Sequence, residues 1–246
     1  MIPALAYLTE GDCVKINYYG DSEAEISIGK RNSIGIKLYG NYPVSGNISI
    51  ELSPTKPAEF TLALRIPQWS KTTTADLISG TDTSKINFDN LSAGEYAKIE
   101  RKWKKGDRIE LSIDLTPHLQ EQNGHQAITR GPIVLARDSR FDDGFVDESV
   151  IIQSSEDGSV VLTAADDKDF AWMAFTAPMI AGADLEGNGK PRQIHLCDFA
   201  SAGNTWDKSI RYKVWLPKTM NVTKGEYRAY NRLRKRRLKN CYRMER

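Results

Sequence analysis

In residues 58–66, AEFTLALRI, Phe60, Leu62, Leu64 and Ile66 fall on one face and Thr61, Ala63 and Arg65 on the other. That period of two is the mark of a half-buried strand. Pro67 cannot donate to a strand ladder, so the strand ends there, and Trp69 follows as either a platform for a flat ligand or a lid on the core. The same alternation recurs in Val14, Ile16 and Tyr18, in Ile34, Ile36 and Leu38, and in Ile48, Ile50 and Leu52. Residues 95–115, EYAKIERKWKKGDRIELSIDL, read as a hairpin turning at 104–107, with Ile109, Leu111, Ile113 and Leu115 inward and Trp103 in the core. The run GPIVLA at 131–136 reads as a strand covered on both faces. Further strands are expected at 150–153, 160–163 and 171–177, which would bury Trp172, and within 211–217. Residues 2–8 read as the last turn of a helix.

Together these elements predict an all-β protein of two consecutive antiparallel β-sandwich domains, residues 1–137 and 138–230. An irregular or helical basic tail follows at 231–246. The boundary is placed near Arg137 because the next stretch, RDSRFDDGFVDESV, is polar and rich in turn residues.

Composition adds constraints. The chain has 246 residues, 40% hydrophobic and 27% charged, which is ordinary for a globular protein with a sizeable core. No apolar run approaches the roughly 20 residues of a transmembrane helix, and MIPALAYLTEGD lacks the basic and apolar stretches of a signal peptide. Of the formal net charge of +2, residues 232–246 contribute +7, which leaves a mildly acidic body at −5. Basic residues in that body are interleaved with acids, so no nucleic-acid partner is expected. The tail has the charge to meet an anionic polymer, although a solvated extension is the plainer reading.

Chemistry-bearing residues are sparse. Cys13, Cys197 and Cys241, with His118, His125 and His195, show no metal-ligand spacing, so neither a metal nor a cofactor is expected. Asp142 and Asp143, and Asp166, Asp167 and Asp169, are the densest carboxylates, and adjacent acids on turns are usually solvated. No GxSxG or comparable nucleophile signature occurs, and Cys13 reads as a packing residue at a strand start. Sugars stack on exposed aromatic rings. Trp206, with Asn204 and Asp207 beside it in ASAGNTWDKS, is therefore the carbohydrate-binding candidate, and a lid on the core is the alternative role for Trp206.

AEFTLALRIPQWS, then GEYAKIERKWKKGDRIELSIDL, then ITRGPIVLARD resemble, in that order, the region after the catalytic barrel in glycoside hydrolase family 127, the beta-L-arabinofuranosidases. The stretch APMIAGADLEGNGKPRQIHLCDFASAGNTWDKSIRYKVWLP is similar to the C-terminal part of the same proteins, so the resemblance spans nearly all of residues 1–220. It implies an α-helical catalytic barrel followed by two β-sandwiches, with the acid, the cysteine nucleophile and a zinc site on the barrel. No catalytic position then maps onto residues 1–246, and Cys13 is not the nucleophile. The resemblance implies that the chain is the non-catalytic C-terminal β-sandwich part of such an enzyme, residues 1–137 its middle domain and 138–230 its C-terminal domain, its partner the barrel. A stand-alone carbohydrate-binding module is the alternative.

Overall fold

The computed structural model describes residues 5–29, 32–88, 91, 94–166, 169–182, 189–205 and 207–218. Trp206, Cys241 and the basic tail lie outside the described residues. No α-helix occurs among the described residues, and two compact units divide between Thr116 and Pro117.

Among the described residues the first unit contains ten strands: β1 (Tyr7–Glu10), β2 (Cys13–Ile16), β3 (Ser22–Ile28), β4 (Asn32–Tyr39), β5 (Asn47–Pro54), β6 (Ala58–Arg65), β7 (Thr73–Ser79), β8 (Asp82–Ile86), β9 (Tyr96–Trp103) and β10 (Asp107–Ile113). They form a four-stranded sheet, β1-β2-β6-β9, and a six-stranded sheet, β3-β4-β5-β10-β7-β8. The alternation explains the layering. Val14, Ile16, Phe60, Leu62 and Leu64 from the first sheet share one core with Ile36, Leu38, Ile50, Ile109 and Leu111 from the second. Burying each such side chain stabilises by about 1.5–3 kcal/mol. Trp103 is fully buried there and its indole N–H donates to the Phe60 carbonyl at 3.0 Å. Trp69 packs half-buried against this core, which makes it a lid.

Three expectations need correction. β1 is a strand paired with β2, where the end of a helix was expected, because Tyr7, Leu8, Thr9 and Glu10 find ladder partners in Ile16, Lys15, Val14 and Cys13. β9 and β10 do not form a hairpin: β9 pairs with β6, and β10 lies between β5 and β7 in the other sheet. The turn at 104–107 exists, with the buried Asp107 carboxylate accepting from Lys104 N at 3.0 Å and Ser79 Oγ at 2.7 Å, but it carries the chain from one layer to the other. Alternation fixes which face is buried and is silent about the partner strand. Finally, β2 runs parallel to β6, the exception among otherwise antiparallel pairs of named strands.

The second unit contains β11 (Pro117–Gln122), β12 (His125–Arg130), β13 (Ile133–Asp138), β14 (Val150–Ile152), β15 (Thr163–Ala164), β16 (Ala174–Ala181), β17 (Arg192–Asp198), β18 (Tyr212–Lys213) and β19 (Leu216–Pro217). The units divide before Pro117 and not near Arg137, which lies inside β13, a strand paired with both β12 and β17. The path β11-β12-β13-β17-β16-β14 is one sheet, with β15 on β16, β18 on β13 and β19 on β12. It rolls over a core of Ile128, Leu135, Val150, Ile152, Met179, Ile194 and Leu196. The roll closes where Val150 of β14 bridges Lys218, directly after β19, whose own partner is β12. Trp172 is not in a buried strand. β16 begins only at Ala174, and Trp172 is 53% exposed.

Candidate functional site

β13 and β17 pair antiparallel, Leu135 opposite Asp198 and Ala136 opposite Cys197, and the last residue of each strand, Asp138 and Asp198, is a buried carboxylate. Asp138 accepts from Arg140 N (2.9 Å), Nε (2.9 Å) and Nη2 (2.6 Å), and from Gly203 N (2.8 Å). Burial pushes this carboxyl up, yet the hydrogen bonds from Arg140 and Gly203 outweigh it and leave it below the usual carboxylate range. Asp198 accepts from Met173 N (2.9 Å) and from Ser201 N and Oγ (both 3.0 Å). Arg140 also donates to Ser201 O (2.9 Å) and Asn204 Oδ1 (2.8 Å) and lies 3.8 Å from the centre of the Phe170 ring. The loop 198–204 is therefore held from both ends by buried charge.

What this frame presents outward is aromatic. Phe199 is 51% exposed and Tyr212 48%, with ring centroids 6.0 Å apart and planes at 56°. Trp172 joins the same loop through its backbone N–H, which donates to Ser201 Oγ at 2.9 Å. Gly203 is a glycine for two reasons. Its φ is +60°, and a Cβ would fall 2.4 Å from Tyr212 Cδ1, so the Tyr212 ring rests on bare backbone.

A second charged cluster lies beside this one. The Asp143 carboxylate takes the His195 backbone N–H at 2.6 Å, His195 Nδ1 at 3.3 Å and Arg137 Nη2 at 3.3 Å, and Phe141 stacks on the His195 ring. Asp143, expected to be solvated, instead clips the segment after β13 onto β17. In the first unit, a shallow groove of about 380 Å³ opens on the wet face of β3, β4 and β5, with Glu23, Glu25, Lys37 and Glu51 around Gly35.

Of the carbohydrate candidates read from sequence, Asn204 is spent on the frame: its Oδ1 accepts from Arg140 and its Nδ2 donates to Phe170 O at 3.1 Å. Asp207 closes a turn by accepting Ser209 N and Oγ, both at 2.8 Å, which hold it below the usual range. Trp206 lies outside the described residues. Phe199 and Tyr212 were missed because each directly follows or sits in a short strand, where an aromatic residue reads as core. Cys197 is buried in the small apolar cluster under the frame. Burial, with the charges of Asp138 and Asp198, pushes its thiol up to about 12, so it is no nucleophile at neutral pH. Among the described residues no group of three or more His, Cys, Asp or Glu side chains is placed to hold a metal, and no helix is long and apolar enough to cross a membrane.

The order of β2 to β10 over two facing sheets has a counterpart among known families. Residues 13–115 match the family model "Beta-L-arabinofuranosidase, GH127 middle domain". That match covers β2 to β10 of the first unit, the part expected to resemble the family's middle domain. Both units together resemble solved structures. A GH127 beta-L-arabinofuranosidase from Geobacillus stearothermophilus T6 aligns over 89% of this chain with a TM-score of 0.71 and 23% identity. A protein described as a glycoside hydrolase aligns over 87% with a TM-score of 0.64 and 22% identity, and another GH127 beta-arabinofuranosidase over 89% with 0.64 and 21%. At these identities the likeness is one of fold. The chain spans only 35% to 37% of the length of those structures. No curated protein sequence matches it.

Proposed function

We propose that this chain is the non-catalytic β-sandwich portion of a glycoside hydrolase acting on L-arabinofuranose-type sugars, the second unit standing as its C-terminal domain, and that it braces a catalytic α-barrel. The observation that carries this reading is the alignment: both units are matched together, over 89% of the chain, by a beta-L-arabinofuranosidase of which they make up 35%. Two further features support it. The buried carboxylates Asp138 and Asp198 and the half-buried Asp143 are each engaged in holding the fold, which leaves them no role as an acid and base pair across an open cleft. Beside β1, Leu5, Leu8 and Tyr18 stand exposed, the kind of surface that a neighbouring domain covers. The alternative of a stand-alone module draws on no observation that the bracing role lacks.

The purified chain should release no nitrophenol from 4-nitrophenyl beta-L-arabinofuranoside. Turnover that disappears when a residue within 1–246 is substituted would overturn the proposal.

A further inference from the structure

The roll of the second unit is closed by two short segments, and one buried side chain touches what holds both. Gln126 of β12 is 1% exposed. Its backbone pairs with Leu216 of β19, its Oε1 accepts the Ile152 N–H of β14 at 3.2 Å, and its Nε2 donates to Glu121 Oε1 of β11 at 2.7 Å. Glu121 Oε1 also accepts from Lys218 Nζ at 2.8 Å, and the Lys218 backbone N–H donates to Gly124 O at 2.8 Å. Among the described residues β14 pairs with one strand, β16; its other edge is met by the Gln126 amide and by the isolated bridge between Val150 and Lys218. A side chain thus stands where a strand ladder would otherwise run. Losing one partner leaves a buried amide unsatisfied at a cost that its remaining bond does not offset, so the bonds of Gln126 are coupled.

The ladders on either side of this point are short. β19 contributes two pairs to β12 and β14 three to β16, whereas β16 and β17 share six. Segments with few ladder bonds open before the centre of a sheet does. We infer that residues 216–218 and β14 are the two leaves of a single seam, with Gln126 as its catch: they open together, ahead of the β16 and β17 pair, and opening bares Val150, Ile152 and Leu216 of the shared core. The seam joins the chain after Lys218 to the interior, because an engagement there that lifts Lys218 also frees β14. It holds whether or not the chain serves a glycoside hydrolase.

Hydrogen exchange of the whole chain, followed amide by amide by NMR in low concentrations of urea, tests this. In the native protein the Lys218 and Ile152 amides, corrected for their intrinsic rates, should exchange within about threefold of each other and with the same dependence on urea. Gln126→Met, close in length and without donor or acceptor, should speed both about tenfold and leave the amides of β16 and β17 unchanged. Lys218→Met, at the exposed end of the relay, should speed both about twofold to fivefold. Native rates for Lys218 and Ile152 that differ by more than about tenfold, or a variant that speeds one leaf alone, would overturn the inference. Acceleration spread equally over β16 and β17 would overturn it as well, since the seam would then be no unit apart from the sheet. If Gln126→Met does not fold, the native comparison and Lys218→Met decide.

Discussion

Replacing Asp138 by Asn removes one charge from the centre of the frame and changes almost nothing in shape. The native carboxylate is fully buried and takes four N–H groups, three from Arg140 and one from Gly203. In Asp138→Asn, one oxygen becomes an NH2 group, which must face either the Arg140 guanidinium or Gly203 N–H, donor against donor. Removing one member of a buried ion pair costs about 3–5 kcal/mol, and the retained amide oxygen places this variant at the lower end, near about 3 kcal/mol. For a unit of this size that loss lowers the urea midpoint by about 1–2 M, readable by circular dichroism and tryptophan fluorescence. The pH dependence supplies a second check. Because the native pKa lies below the unfolded value of about 3.9, the stability that Asp138 contributes is complete above about pH 4 and is lost as pH falls through the native value. The gap between wild type and variant should therefore shrink in acid. A midpoint shift under about 0.3 M, or a gap that stays constant from neutral pH to about pH 2, would refute the reasoning.

Two further outcomes follow from the packing. A Cβ on Gly46 would fall 2.1 Å from the Ile113 carbonyl oxygen, which belongs to the strand whose backbone hydrogen-bonds Gly46 itself, so Gly46→Ala should cost about 2–4 kcal/mol in the first unit, measured by chemical denaturation, whereas Gly80→Ala, with open space around it, should lose less. The Cys197 thiol, buried and pushed up to about 12, should resist Ellman's reagent at pH 8 until the protein is unfolded, while half-exposed Cys13 reacts in the native state; rapid labelling of Cys197 would contradict the burial described.

The sequence disclosed faces more readily than partners. Ile109, Leu111 and Ile113 are buried as their alternation requires, because burial is a local consequence of period, whereas of GPIVLA only Leu135 and Ala136 are buried and the strand begins at Ile133. Which strand lies beside β10, or that β2 runs parallel to β6, depends on pairings across tens of residues that leave no local trace. The frame was illegible for a related reason. Asp138 and Asp143 sit in a polar, turn-rich stretch that looks solvated and Asp198 at the end of a strand, and only the fold reveals that Arg140, His195 and Ser201 close around them. Trp172 misled in the opposite direction: its apolar neighbours Ala171 and Met173 are buried while it faces water.

The bridge between Val150 and Lys218 also sets an order of events during synthesis. Among the described residues, the first unit has all its strands once residue 113 has left the ribosome, and no later strand joins either of its sheets. The second cannot seal until 216–218 emerge, about a hundred residues after β11 begins, and in that interval β12 and β14 wait with open edges. A nascent chain stalled before residue 216 would thus carry one finished half and one half that is adhesive, and the last strand among the described residues is the one that protects it.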